Sequence, residues 1–264
     1  MWTIDINNNY PIILIDCSYY IFYRYFATKR WFKFKDIEID PKDIENNDIF
    51  LEAIKKHFNN DIKKIIKKYK TIIDNIYFCL DCPRENIWRN DLYTDYKSGR
   101  VQSNQFNKKI FDIFINKFDI SIPMIASNKL EADDVVAIIH KNIRNNNNKK
   151  IIIITNDNDY IQLYDDYTEI VNMNFKDIIL RNKEISINNY LISKILLGDK
   201  VDNIKKVGKI NKNDIKEIFK NNNLNNWLQL NNLNEEYEKN MKLIDFNYIP
   251  IELINNLLET INFV

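Results

Sequence analysis

Carboxylates recur at five places along this chain: Asp16; Asp81; Glu131 with Asp133 and Asp134; Asp157 with Asp159; and Asp199 with Asp202. Most stand where a short apolar run ends. Taken singly, a strand-end aspartate is an ordinary turn or capping residue. The recurrence is what points to chemistry. Two bare carboxylates about 4 Å apart repel by about 4 kcal/mol at an effective dielectric of about 20. Several such pairs on one surface call for cations between them. Oxygen ligands without histidine or cysteine suit two Mg2+ ions, with Mn2+ as a substitute. Such a pair can activate water and stabilise the leaving oxygen of a phosphodiester. Local spacing supports convergence. Glu131 and Asp134 share a helix face, Asp157 and Asp159 point the same way if extended, and Asp199 and Asp202 share one side of a turn.

The elements that must position these groups follow from the apolar pattern. Pro11 to Asp16, Ile76 to Asp81 and Lys150 to Thr155 read as short buried strands. A helical period covers about 48–70, with Leu51, Ile54, Phe58, Ile62, Ile65 and Ile66 on one face and solvated lysines on the other. Further helices are expected over about 103–118 and 130–143. Buried strands alternating with helices predict an α/β fold with a mainly parallel central sheet flanked by helices. Ligands in such folds bind beyond the carboxyl ends of the strands, which is where Asp16 and Asp81 fall. Beyond about 185 the strand signal fades. Helical patterns at 187–197, 212–219, 223–230 and 251–261 predict an α-helical extension. The expected division is a core over 1–185 and an extension over 186–264.

Composition narrows the function classes. The chain has 264 residues, with 38 lysines and arginines against 37 aspartates and glutamates. A net charge of +1 means that any nucleic-acid surface is a local patch. Cys17, Cys79 and Cys82 are read as free thiols. The Cys79–Cys82 spacing lacks the further ligands a zinc site needs. With only His57 and His140 present, a Ser-His or Cys-His nucleophile is not expected. No apolar run approaches the roughly 20 residues of a membrane helix, and no secretory signal is recognised. The expected setting is intracellular, in the cytoplasm or nucleus of a host. The glycines Gly99, Gly198 and Gly208 all fall inside motifs, where close backbone approach or positive φ is expected.

The motifs together resemble the flap endonuclease and 5′-3′ exonuclease family. Leu14-Ile-Asp16-Cys-Ser-Tyr-Tyr-Ile-Phe-Tyr-Arg24 is similar to its first motif. Phe78-Cys-Leu-Asp81, Trp88-Arg89 and Asp95-Tyr-Lys-Ser-Gly-Arg100 are similar to its second. Glu131-Ala-Asp-Asp134, Thr155-Asn-Asp-Asn-Asp159-Tyr-Ile-Gln-Leu163 and Leu197-Gly-Asp-Lys-Val-Asp202-Asn-Ile204 follow in the family's order. Met241 to Pro250 looks like the matching stretch of a viral member.

The resemblance implies a PIN-like or resolvase-like core and a metal-dependent, structure-specific 5′ nuclease. It would act on DNA with a 5′ flap or overhang, and on RNA/DNA hybrid, in primer removal during replication or repair. Asp16, Asp81, Glu131 and Asp133 would hold one ion. Asp157, Asp159, Asp199 and Asp202 would place the second, with Asp134 bridging or just behind. Asp133, Lys97 and Arg100 are the implied catalytic groups. Arg84, Arg89, Tyr96, Lys97 and Arg100 would bind nucleic acid in an arch region within 82–120, with Tyr96 stacking on an unpaired base. Where family members carry a glycine-rich hairpin, this chain has Lys205-Lys-Val-Gly-Lys-Ile-Asn211. There Lys205, Lys206 and Lys209 are expected to meet phosphates. A monomer is expected, with a single-strand-binding protein or sliding clamp as candidate partners. A PIN-like ribonuclease and an inactive junction-binding protein are the alternative readings.

Overall fold

The computed structural model describes residues 1–100, 105–118, 120–179 and 186–264. The strands β2 (Ile12–Asp16), β3 (Ile76–Cys79), β4 (Met124–Ile125), β5 (Ile151–Ile154) and β6 (Thr168–Val171) form one sheet in the order β4-β3-β2-β5-β6. Every pairing is parallel. The chain runs outward from β2 through β3 to β4, then crosses back to add β5 and β6 on the other side. The reversal lies between β2 and β5, and a crevice opens there beyond the strand ends.

Strand composition explains the layering. Ile12 and Leu14 face one hydrophobic cluster while Ile13 and Ile15 face the other, and Ile151 to Ile154 alternate in the same way. One face is covered by α1 (Cys17–Lys33), α2 (Asp48–Tyr69) and α4 (Lys109–Asn116). The other is covered by α5 (Ala132–Asn146). The lysine-rich side of α2 is solvated, as its period implied, and Lys63, Lys64, Lys67 and Lys68 are exposed.

Beyond β6, the helices α6 (Ile187–Leu197), α7 (Lys212–Asn221), α8 (Leu224–Leu230) and α9 (Asn234–Ile244) build the extension. Its last part departs from the sequence expectation. The helix α10 (Ile251–Leu258) stops short of 261 and is followed by a strand, β7 (Ile261–Phe263). That strand pairs in parallel with β1 (Trp2–Ile4). The reason is burial, because Phe246, Ile249, Leu257 and Ile261 complete the cluster over α5. Residues 246–264 therefore pack on the core rather than on the extension. The arch region is also not one element. After the short helix α3 (Arg89–Leu92), Phe106 and the Ile110, Ile113 and Phe114 face of α4 lie inside the core. The expected start of that helix at Ser103, and the domain boundary at 185, lie outside the described residues.

Two of the three glycines serve as expected. Gly198 has φ +63°, and a Cβ there would meet the carbonyl oxygens of Ile204 and Lys205 at 2.4 and 2.5 Å. Gly208 has φ +56° against the Leu233 side chain. Gly99 departs from the expectation, with open space where a Cβ would go. Gly198→Ala should therefore destabilise the protein by roughly 2 kcal/mol or more, while Gly99→Ala stays within about 0.5 kcal/mol. Urea unfolding of both variants checks this, and equal midpoints would refute it.

Candidate nuclease site

The acids gather at the carboxyl edge of the sheet because each strand hands its chain to a helix or turn there. Asp16 closes β2 and caps α1, its Oδ1 accepting from Tyr19 N at 2.9 Å. Asp157 caps the turn 158–163 by accepting from Asp159 N. Asp81 follows β3 by two residues and accepts from Ala132 N at 2.8 Å, which pins the start of α5. Ser18 donates to its other oxygen. Capping and site-building are thus carried by the same side chains.

Asp16, Asp81, Glu131, Asp133 and Asp157 line one cleft of about 420 Å³, together with Lys97 and Arg100. Glu131, Asp133 and Asp134 offer oxygens within 4.8 Å of one another, and Asp159, Asp199 and Asp202 form a second such group. The second group depends on a tight loop. Asp199 and Ile204 bridge backbone to backbone, which Gly198 permits, and Asp199 Oδ1 accepts from Val201 N. Asn203 then donates to Asp95 O and Ser98 Oγ at 3.0 Å, docking the 95–98 turn onto this loop.

That docking places Lys97 between the groups. Its Nζ pairs with Glu131 and lies 3.6 Å from Asp202. Arg100 pairs with Asp202. Burial alone would raise the Asp202 carboxyl, but Lys97 and Arg100 outweigh it and hold the pKa below its ordinary value. Asp133 has the opposite balance. Burial, then Asp134 and Glu131, raise it well above the ordinary range. The donors are all hard carboxylate oxygens, and several are held against their own repulsion. The residues therefore fit divalent cations of the magnesium type.

Two expected nucleic-acid contacts, Arg89 and Tyr96, need correction, and Asp134 is narrowed to the place just behind the first group. Asp134 is fully buried. Its oxygens accept from Arg89 at 2.7 and 2.8 Å and from Trp88 Nε1 at 2.9 Å, so it supports Glu131 instead of facing the cleft. Arg89 is 2% exposed. It holds Glu131, Asp134 and the Leu243 carbonyl, and has no surface to offer a phosphate. Tyr96 is 5% exposed, with its hydroxyl 2.9 Å from Glu131 and 3.3 Å from Asp202, so its ring cannot stack on a base. Arg84, Lys205, Lys206 and Lys209 are exposed, as expected of nucleic-acid contacts, but none lines the cleft.

Two contributors escaped the sequence reading. Lys194 pairs with Asp159 and reaches to 3.4 Å from Asp199. It is the one charged residue of α6, which is a signal that could have revealed it. Phe22 is 41% exposed at the cleft wall and stacks on Phe106 at 4.2 Å. An exposed aromatic ring six residues after a strand-end aspartate was its only sequence signal.

The family model described as 5′-3′ exonuclease, N-terminal resolvase-like domain, matches residues 11–190. The ribonuclease H of Enterobacteria phage T4 is 27% identical over 243 residues, covering 81% of this chain and 78% of that protein. A 5′-3′ exonuclease of Mycoplasmopsis pulmonis is 30% identical over 223 residues, covering 79% of this chain and 66% of that protein. Among solved structures, the phage T5 5′-exonuclease with bound zinc superposes with a TM-score of 0.69 at 16% identity, over 94% of this chain and 97% of that one. That likeness is one of fold.

The crowding has a consequence for stability. Burial first, then the charges of Asp81 and Asp157, push Asp16 up to about 7 from an ordinary 3.8. The folded protein thus binds this proton more tightly than the unfolded chain does. Its contribution is complete below about pH 4 and is lost as the pH rises to about 7, on the order of 4 kcal/mol at most. Asp202, whose pKa is lowered, works the other way, stabilising above about pH 4. In chelator, the urea midpoint should fall between about pH 5 and about pH 8. Magnesium should remove most of that fall, and the substitution Asp16→Asn should lessen it, the raised Asp133 accounting for part of the remainder. A flat profile for the metal-free protein would refute the assignment.

Proposed function

The chain belongs to the 5′-3′ exonuclease family, and on that premise we propose that it is a divalent-metal-dependent, structure-specific 5′ nuclease. It acts as exonuclease and flap endonuclease on DNA with 5′ flaps or overhangs. The observation that carries the reading is the cleft lined by Asp16, Asp81, Glu131, Asp133 and Asp157, with Lys97 linking Glu131 to Asp202 of the neighbouring Asp159, Asp199 and Asp202 group. The name of the phage T4 relative supports RNA/DNA hybrid as a further substrate, and from that substrate we infer primer removal in replication or repair as the use.

Glu131, Asp133, Asp16 and Asp81 would hold one ion, and Asp157, Asp159, Asp199 and Asp202 the other. When bound, such a pair activates water and stabilises the leaving oxygen of an in-line displacement. The chain's own residues do the rest. Lys97 and Arg100 can exchange their carboxylate partners for the oxygens of the scissile phosphate, where fixed positive charge favours the transition state. Phe22, not Tyr96, offers the exposed face on which an unpaired base can stack. Lys194 neutralises part of the second group before substrate arrives.

The hairpin after Asp202 supports a duplex contact made by side chains. Val207 is fully buried and donates to Leu196 O at 2.9 Å, and the Lys205 carbonyl accepts from Asn240 at 2.7 Å. Lys205, Lys206 and Lys209 are left outside on this fixed loop.

Two measurements test the reading. Asp133→Asn should lower magnesium-dependent cleavage of a labelled 5′ flap by at least about a thousandfold while binding persists. Wild-type protein that binds flaps and never cuts with any divalent ion would support an inactive junction binder instead. Replacing Lys205, Lys206 and Lys209 by glutamine should lower the slope of log affinity against log salt by about two to three. An unchanged slope would place the duplex elsewhere.

A further inference from the structure

One buried hydroxyl reaches the first carboxylate group from the side of the second. Tyr160 is 1% exposed and lies in the turn 158–163, which Asp157 caps and which carries Asp159. Its hydroxyl donates to Asp16 Oδ2 at 3.1 Å. The Thr155 hydroxyl, at the end of β5, approaches the same oxygen at 3.3 Å. Tyr19 N holds Oδ1 from the opposite side at 2.9 Å. Asp16 is thus gripped by three donors, and two of them belong to the segment that leads into Asp157 and Asp159.

We propose that Tyr160 is a positioning residue that fixes Asp16 as a metal ligand and ties its orientation to the turn bearing Asp157 and Asp159. Ion binding at one carboxylate group is then felt at the other. This rests on the metal-dependent reading above. The packing of Tyr160 does not call for a hydroxyl, because its ring sits in the apolar cluster with Val135, Ile139 and Ile153, where a phenylalanine would serve. Among the described residues, that hydroxyl hydrogen-bonds to Asp16 alone. Removing one donor leaves Oδ2 with a single, longer hydrogen bond and frees the carboxylate to rotate. Groups that orient a ligand in this way commonly alter metal affinity by roughly 10-fold to 100-fold when lost.

The test is a manganese titration of the full chain, followed by calorimetry and by the spin signal of free Mn2+. Tyr160→Phe should weaken binding of the first ion by roughly 10-fold and reduce the influence of one bound ion on the next. The control is Tyr77→Phe. Tyr77 is another buried tyrosine of the same cluster, and its hydroxyl donates to Thr3 O at 3.0 Å, away from the acids. That variant should lose stability with no change in manganese affinity. Equal manganese affinity in Tyr160→Phe and wild type would overturn the proposal. Wild type that binds no manganese would overturn the metal-dependent reading and this proposal together. If Tyr160→Phe does not fold, Thr155→Val removes the other donor at the same oxygen. Weakened manganese binding then supports the proposal, and unchanged binding overturns it.

Discussion

Mutual repulsion of carboxylates at one edge of a parallel sheet is the constraint around which the molecule is arranged. It sets what stands beside each acid. Glu131 has Lys97 and Arg89, Asp134 has Arg89 and Trp88, Asp202 has Lys97 and Arg100, and Asp159 has Lys194. Asp16 and Asp81 have hydroxyl and backbone donors in place of cations. The remaining negative charge is concentrated where Asp16 and Asp133 sit, and both resist ionisation. A site built this way is incomplete on its own electrostatic terms. On the proposed reading, divalent cations held by these acids would complete it, and a phosphodiester would meet positive side chains already in place.

The same geometry explains the economy of the fold. A strand that ends in a parallel sheet must turn into a helix or loop, and the first exposed N–H groups of that helix favour an acid. Asp16 and Asp157 satisfy this local need and still line the cleft. Asp134 does not. Its partnership with Glu131 at the start of α5 uses both of its oxygens inward. Position in the first turn therefore separates the acids. Those at the cap look outward along the helix axis, and one at the third position looks into the core.

How far the sequence could be read follows from the range of the forces involved. The strands β2, β3 and β5, the helix α2, and the starts of α6 and α7 were legible because apolar period and capping are local, whereas β6 was not read from the sequence. The gathering of the acids was legible through their placement at strand ends. What failed depended on distant partners. Arg89 and Tyr96 look like surface residues among charged neighbours, yet Leu243 and Asp202 cover them from elsewhere in the chain. The 261–263 segment continues a helical pattern, but the free edge of β1 draws it into a strand. Gly99 has the composition of a tight site without its geometry, because the Asp95–Lys97 turn places the strained φ of +56° at Lys97 instead.

The pairing of β1 with β7 joins residues 2–4 to residues 261–263. On a ribosome the first strand must wait until residues 261–263 are made before its partner exists. The central sheet faces no such delay once β6 has emerged. Domains assemble as they are made, at roughly 5 to 20 residues per second, so the first strand stays unpaired for on the order of ten seconds or more. The cluster over α5 lacks Phe246, Ile249 and Leu257 during the same interval. The nascent nuclease thus carries an uncovered apolar face and a lone strand edge until residues 246–263 are made, the kind of surface that chaperones recognise.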